Sequence, residues 1–184
     1  MTIAGVIERE VEVPDKVQLS VDQMGKVSVK GPKGTLVRNF DLRRIKVIQN
    51  GKKVAVRCEY PRMKDKAMIG TIESHILNMF HGVLEGYEYK MKIVYSHFPI
   101  KATVKGATFV IENFMGERHP RKTSIVGGTK VVVKGDEVSL SGISIEEVGQ
   151  TAANIELATK RTGFDPRVFQ DGIYITHKGW RNEQ

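Results

Sequence analysis

The sequence predicts an α+β protein made of two tandem copies of one plan, each a small, mainly antiparallel sheet with one helix packed on a face. Three observations carry this. Apolar residues alternate at period two through most of both halves. Once in each half the period switches to steps of three and four, the spacing of a single helix stripe. The halves also match in letters: Lys46-Val-Ile-Gln-Asn-Gly51-Lys-Lys-Val54-Ala-Val56 lies over Lys130-Val-Val-Val-Lys-Gly135-Asp-Glu-Val138-Ser-Leu140. Val29-Lys30-Gly31 matches Val104-Lys105-Gly106, and Asn39-Phe40 matches Asn113-Phe114. The offsets of 84, 75 and 74 residues differ, as loops of unequal length require. Two copies of this length are no solenoid. The expected domains are 1–83 and 84–184.

Along the first copy, strands are expected at Val11 and Val13, at Val17, Leu19 and Val21, and at Val27 and Val29, with a turn at Asp22-Gln-Met-Gly25. Ile45 and Val47 lead to Asn50-Gly51, a strong hairpin signal because its turn needs positive φ, and Val54, Val56 and Cys58 follow. Pro61 closes the strands. A helix is expected over 64–81, with Met68, Ile72, Ile76, Met79, Phe80 and Val83 as its stripe and Gly82 as its terminator. In the second copy Tyr87, Tyr89, Met91, Ile93 and Tyr95 alternate, then Ala102 and Val104, then the apolar run Phe109-Val-Ile111. Val131 and Val133, a turn at Lys134-Gly-Asp136, and Val138 with Leu140 make another hairpin. Ser144 starts a helix, with Glu147 in capping-box position, a stripe at Val148, Ala152 and Ile155, and Gly163 as the expected end.

Composition narrows the partners. The chain has 184 residues, with 29 Lys+Arg against 21 Asp+Glu, a net charge of +8. That excess favours a polyanion, and nucleic acid is the commonest in cytoplasm. With 40% hydrophobic residues and no run near the ~20 of a membrane span, a soluble protein without a membrane partner is expected. The early acidic residues argue against a secretory signal, and the single Cys58 fits a reducing, cytoplasmic compartment. Residues 1–84 carry net +6 and residues 85–184 net +2. Yet the densest basic cluster in a loop-like setting, Gly116-Glu-Arg118-His119-Pro120-Arg121-Lys122, is in the second copy.

Chemistry is hard to find. The histidines 75, 81, 97, 119 and 177 have no ligand spacing, and one cysteine makes a structural zinc improbable. There is no P-loop, no G-x-G-x-x-G and no G-x-S-x-G elbow. Gly31-Pro-Lys-Gly34 reads as an ordinary turn carrying a lysine rather than a phosphate cradle. No catalytic residue, metal, cofactor or small-molecule substrate is expected, and the chain is not read as an enzyme.

Binding features are stronger. Arg118, His119, Arg121 and Lys122 fall in a long polar connection, where guanidinium forks could grip phosphates; a solvated flexible loop is the plainer alternative. Lys160 and Arg161 either contact RNA or complement the dipole at a helix end. The tail couples His177 and Lys178 with Trp180 and Arg181. Trp180 is placed to stack on a base, to plug the underside of the domain or to meet a protein.

Several stretches carry a resemblance. Arg167-Val-Phe169-Gln-Asp171-Gly172-Ile173-Tyr174-Ile175-Thr-His-Lys178-Gly179, with Tyr60-Pro61-Arg62, Val94-Tyr95-Ser-His97-Phe98-Pro99 and Asn113-Phe114-Met-Gly116-Glu-Arg118, resembles the large-subunit ribosomal protein family conventionally numbered six. The likeness spans essentially the whole chain and is to the archaeal and eukaryotic branch; the bacterial Tyr-Lys-Gly-Lys-Gly signature is absent, with Lys122-Thr-Ser-Ile-Val-Gly in the corresponding region. The compact length favours an archaeal member. The resemblance implies a non-catalytic component of the cytoplasmic ribosome that binds large-subunit ribosomal RNA near the stalk base and factor-binding region, mainly through its second domain, and touches neighbouring ribosomal proteins. It makes Arg118, His119, Arg121, Lys122 and Lys178 candidate phosphate contacts, with Lys160, Arg161, Arg167, Trp180 and Arg181 beside them. Lys30, Lys33, Arg43, Arg44 and Lys46, in residues 16–66, would meet RNA peripherally. The rival reading is a basic two-domain scaffold for protein interactions, its charge serving solubility.

Overall fold

Valine, isoleucine and tyrosine alternating with polar residues cannot hide one face without pairing, so the alternating segments meet as antiparallel sheets. The computed structural model describes residues 5–22, 25–40, 44–165 and 167–180, with only the backbone at Asn50 and Trp180. The chain divides into two compact units, residues 1–85 and 86–184. In chain order the first holds β1 (Val6–Glu12), β2 (Gln18–Val21), β3 (Lys26–Gly31), β4 (Gly34–Asn39), β5 (Ile45–Asn50), β6 (Lys53–Glu59) and α1 (Met63–Leu84). The second holds β7 (Tyr87–Val94), β8 (Lys101–Lys105), β9 (Thr108–Glu112), a 3-10 turn (Phe114–Gly116), β10 (Arg121–Ser124), β11 (Lys130–Lys134), β12 (Glu137–Gly142), α2 (Ile145–Ala158) and β13 (Gly172–Trp180).

The duplication read from letters is a duplication of topology. One sheet of the first unit runs β1-β6-β5, and one sheet of the second runs β11-β12-β7-β13. The β5–β6 and β11–β12 hairpins correspond, and each lays its second strand beside the first strand of its unit: Val54 faces Val11, and Val138 faces Met91. Val54 and Val138 are both fully buried. Likewise β3–β4 and β8–β9 are matching hairpins, each followed by a buried phenylalanine, Phe40 and Phe114. An arginine sits over each ring, Arg38 at 5.5 Å from Phe40 and Arg121 at 4.3 Å from Phe114. The copies differ in two additions. The small sheet takes its third strand from before the hairpin in the first unit (β2-β3-β4) and from after it in the second (β10-β9-β8). The strand β13, on the other edge of β7, has no described counterpart in the first unit.

Each unit has its own core. In the first, Ile69, Ile72, Ile76, Met79, Phe80 and Val83 of α1 pack on Val11, Val27, Val29, Val54 and Val56. The helix stripe differs from expectation at one end: Met68 is 48% exposed, and its neighbour Ile69 faces the core. Both positions satisfy a three-or-four step from Ile72; packing chose between them. Gly82 does not end the helix but lies buried within it. The end comes three residues later, where the Glu85 N–H donates to the His81 carbonyl and Gly86 adopts a left-handed φ of 72°. His75 packs its ring near Phe40, as a rim residue. The Pro32-Lys33 turn is held down from inside: the Lys33 N–H donates to the Val83 carbonyl at 3.0 Å. A Cβ on Gly31 would lie 2.7 Å from the Val83 side chain, so only glycine lets hairpin and helix approach this closely.

In the second unit Val148, Ala152 and Ile155 of α2 meet Met91, Ile93, Val138, Leu140 and Ile173. Ser144 caps the helix, its hydroxyl accepting from the Glu147 N–H at 3.4 Å. The Glu147 carboxylate is turned elsewhere: it accepts from the Gly128 N–H at 3.0 Å and fastens the 127–128 turn to the helix start. The helix ends at Ala158, where the Thr159 N–H returns to the Glu156 carbonyl; Gly163 falls beyond it, in the connection to β13.

Candidate nucleic-acid interface

The connection after β9 is short and tightly turned. Asn113, Met115 and Gly116 all have left-handed φ, of 58°, 51° and 76°. Two non-glycine residues in that region are costly and persist only where the surroundings hold them. Here the Asn113 amide donates to the Pro99 carbonyl at 3.1 Å, Phe114 is buried, and Gly116 packs under the Phe98 ring. The turn therefore presents Glu117, Arg118, His119 and Pro120 to solvent from a fixed base.

What was expected as a loop becomes strand β10 at Arg121. Alternation then sends adjacent residues to opposite sides: Lys122 and Ser124 are exposed, while Arg121 and Thr123 turn inward. Arg121 is consequently engaged within the domain. Its Nε and Nη2 donate to the two carboxylate oxygens of Glu117 at 2.8 and 2.5 Å. Its Nη1 donates to the carbonyls of Ala158 and Lys160 at 2.8 and 3.2 Å, at the C-terminal end of α2. The guanidinium lies over the Phe114 ring. Hydrogen bonding from Arg121, against the opposing effect of burial, holds the Glu117 carboxyl below its ordinary value. With most of its donors spent, Arg121 is a clamp between turn, strand and helix end rather than a free fork for phosphate. It also takes the dipole-complementing place expected of Lys160 and Arg161.

The remaining residues separate in the same way. Arg161 is half-buried, its Nη1 donating to the Asp171 carbonyl at 2.8 Å and the Tyr174 hydroxyl at 2.6 Å. Lys160 and Arg167 are exposed on the connection between α2 and β13, the Arg167 N–H donating to the Asp165 carboxylate at 2.9 Å. His177 and Lys178 are exposed on β13, just past a bulge at 175–177. The side chain of Trp180, and all of Arg181, lie outside the described residues, as does Arg43. In the first unit Lys30, Lys33 and Lys46 are exposed, and Arg44 pairs with Asp65 at 3.3 Å. Arg9 pairs with Glu73, Lys52 with Asp15 and Lys53 with Glu10, so part of that unit's charge is turned on its own acids.

Sequence reasoning missed Glu117 as the partner of Arg121; the four-residue spacing was visible, but it is the tight turn leading into β10 that brings the two together. It also missed Leu157 and Phe164, exposed apolar residues beside Lys160. Among the described residues, no group of three or more His, Cys, Asp or Glu is placed to hold a metal ion. Among these described residues, too, no helix is long and apolar enough to cross a membrane.

A duplicated α+β protein whose second copy holds exposed cations on rigid turns has the surface expected of a polyanion-binding module. The comparisons give the family. The ribosomal protein L6 model matches residues 13–86 and again 98–172, once for each unit, and the chain belongs to that family. It is 50% identical to the large ribosomal subunit protein uL6 of Methanobrevibacter smithii over 97% of this chain and 99% of that protein. The corresponding protein of Methanosarcina mazei is 51% identical, over 94% of this chain and 97% of its own length. That of Archaeoglobus fulgidus is 50% identical over 93% and 89%. The expected family and its archaeal branch are thus borne out.

Proposed function

We propose that this chain is a non-catalytic component of the large ribosomal subunit, working in the cytoplasm, which binds large-subunit ribosomal RNA beside neighbouring ribosomal proteins. The observation that carries this reading is the half-identity, over nearly full length, to archaeal proteins named as large-subunit components. The mechanism is charge neutralisation on a preformed scaffold: cations held on ordered turns and strands meet phosphates without having to be ordered first. The second unit is the principal contact, placed near the stalk base and factor-binding region. Arg118, His119, Lys122, Lys160, Arg167 and Lys178 are the exposed groups that would carry it, while Arg121 and Arg161 hold their surroundings in place. Lys30, Lys33 and Lys46 of the first unit add peripheral contacts.

Changing Arg118 and Lys122 together to Ala is expected to weaken RNA binding without lowering the melting temperature. Each lost phosphate contact removes roughly 0.7–0.9 from the slope of log affinity against log salt, so the pair should flatten it by about 1.5. The control is Lys64→Ala with Lys66→Ala, on the exposed face of α1, which removes the same charge elsewhere. Equal losses in the two variants would mean that only overall charge matters.

A further inference from the structure

Residues 159–171, between α2 and β13, have no equivalent in the first unit, whose helix runs almost directly into β7. Connections of this length within a small domain are uncommon. With the end of α2 and the start of β13, this one borders an open, solvent-facing cavity of about 420 Å³. Leu157, Phe164 and Tyr174 form its apolar walls, and Glu156, Lys160 and Arg161 bring charge to it. Leu157 is 63% exposed and Phe164 51%, against the tendency of such residues to be covered.

Phe164 is nevertheless fixed. Its ring stands edge-on to Phe169 at 5.0 Å, and Phe169 packs on His97 at 4.9 Å. His97 in turn lies 3.8 Å from the buried carboxylate of Asp171. Such a chain holds one aromatic face rigid at the mouth of a cavity with an exposed lysine beside it. A flat ring carrying a phosphate complements this pairing, because the ring stacks on Phe164 while the anion meets Lys160. The acceptor-only carboxylate of Glu156 suits a ring edge that bears an amino group.

We propose that this cavity receives one unstacked base of the RNA partner, its face on Phe164 and its backbone phosphate toward Lys160. The inference rests on the RNA-binding function proposed above and assigns that function an additional subsite. A peptide side chain is the competing occupant.

The test uses the full chain with large-subunit ribosomal RNA, measuring affinity over a series of salt concentrations. Phe164→Ala is expected to weaken binding about tenfold, the usual size for one base–aromatic stack. The salt slope should not change, since an uncharged ring releases no counterions. Phe164→Trp should restore affinity, while Phe164→Leu, which keeps apolar volume and protects against a folding artefact, should not. Rescue by Leu equal to that by Trp would overturn the proposal in favour of an apolar peptide occupant. Unchanged affinity in Phe164→Ala, with the wild type bound, overturns the subsite alone. A wild type that does not bind the RNA overturns the underlying function and the subsite with it.

Discussion

Ile76→Asp is expected to unfold the first unit outright. Ile76 is fully buried at the centre of the α1 stripe, among Ile72, Phe80 and the valines of both first-unit sheets. The change forfeits about 1.5–3 kcal/mol of apolar burial and places a carboxylate where it has no partner, which costs several kcal/mol more. A small domain has only about 5–15 kcal/mol to lose. Because each unit has its own core, we expect the damage to stay local. Hydrogen exchange on the full chain should show amides of α1, β3 and β6 losing protection while those of α2, β7 and β12 keep theirs. Retained protection in α1 would refute the helix face, and loss across both units would refute their independence.

Arg121→Ala is the second large effect, and it acts on stability before it acts on binding. The variant loses the paired bonds to Glu117, the two carbonyls at the end of α2 and the contact with Phe114. Charge-assisted bonds contribute about 1.5–3 kcal/mol and a cation over a ring about 0.5–2. Partial exposure reduces this, so about 2–3 kcal/mol is expected, a fall of roughly 10–20 °C in the melting of a unit this size. Arg121→Lys should recover little, since an ammonium cannot span these partners as the planar fork does. The pH dependence follows from Glu117. Its folded value lies below the ordinary 4.5, so its stabilisation is complete above that value and is lost as pH falls through the folded one. As pH falls below about 5, then, the wild type should lose more stability than Glu117→Gln. An unchanged melting temperature in Arg121→Ala would mean that the clamp contributes nothing.

How much of this was legible depends on which force shapes each element. Strands such as β6 and β12, with Val54, Val56, Val138 and Leu140 buried, announce themselves because burial demands alternation. The strand β10, Arg-Lys-Thr-Ser, has no apolar signature; backbone pairing with β9 alone makes it a strand. For that reason Arg121 and Lys122 look alike in sequence and take opposite roles in the fold. In β4, Val37 is 53% exposed and Leu36 only partly buried, so the pattern is weak there too. Ile173 and Ile175 alternate in β13, but nothing local says that it joins β7, about eighty residues earlier. The helices were placed to within a few residues, and their ends were misjudged because glycine was taken as punctuation. Gly82 is instead a buried helix residue, and the actual stop is Gly86. Candidate cations could be listed from composition, but their partners could not, since Glu117 reaches Arg121 through an unforeseen tight turn and the carbonyls at the end of α2 reach it only through tertiary packing.

The most direct test of the central claim is a crosslinking map of the full chain on large-subunit ribosomal RNA, with the crosslinked peptides identified. The account predicts crosslinks concentrated in the second unit, at residues 116–122 and 156–180, with sparser ones near Lys30, Lys33 and Lys46. Crosslinks confined to residues 1–85, or spread evenly over every exposed lysine and arginine, would contradict it.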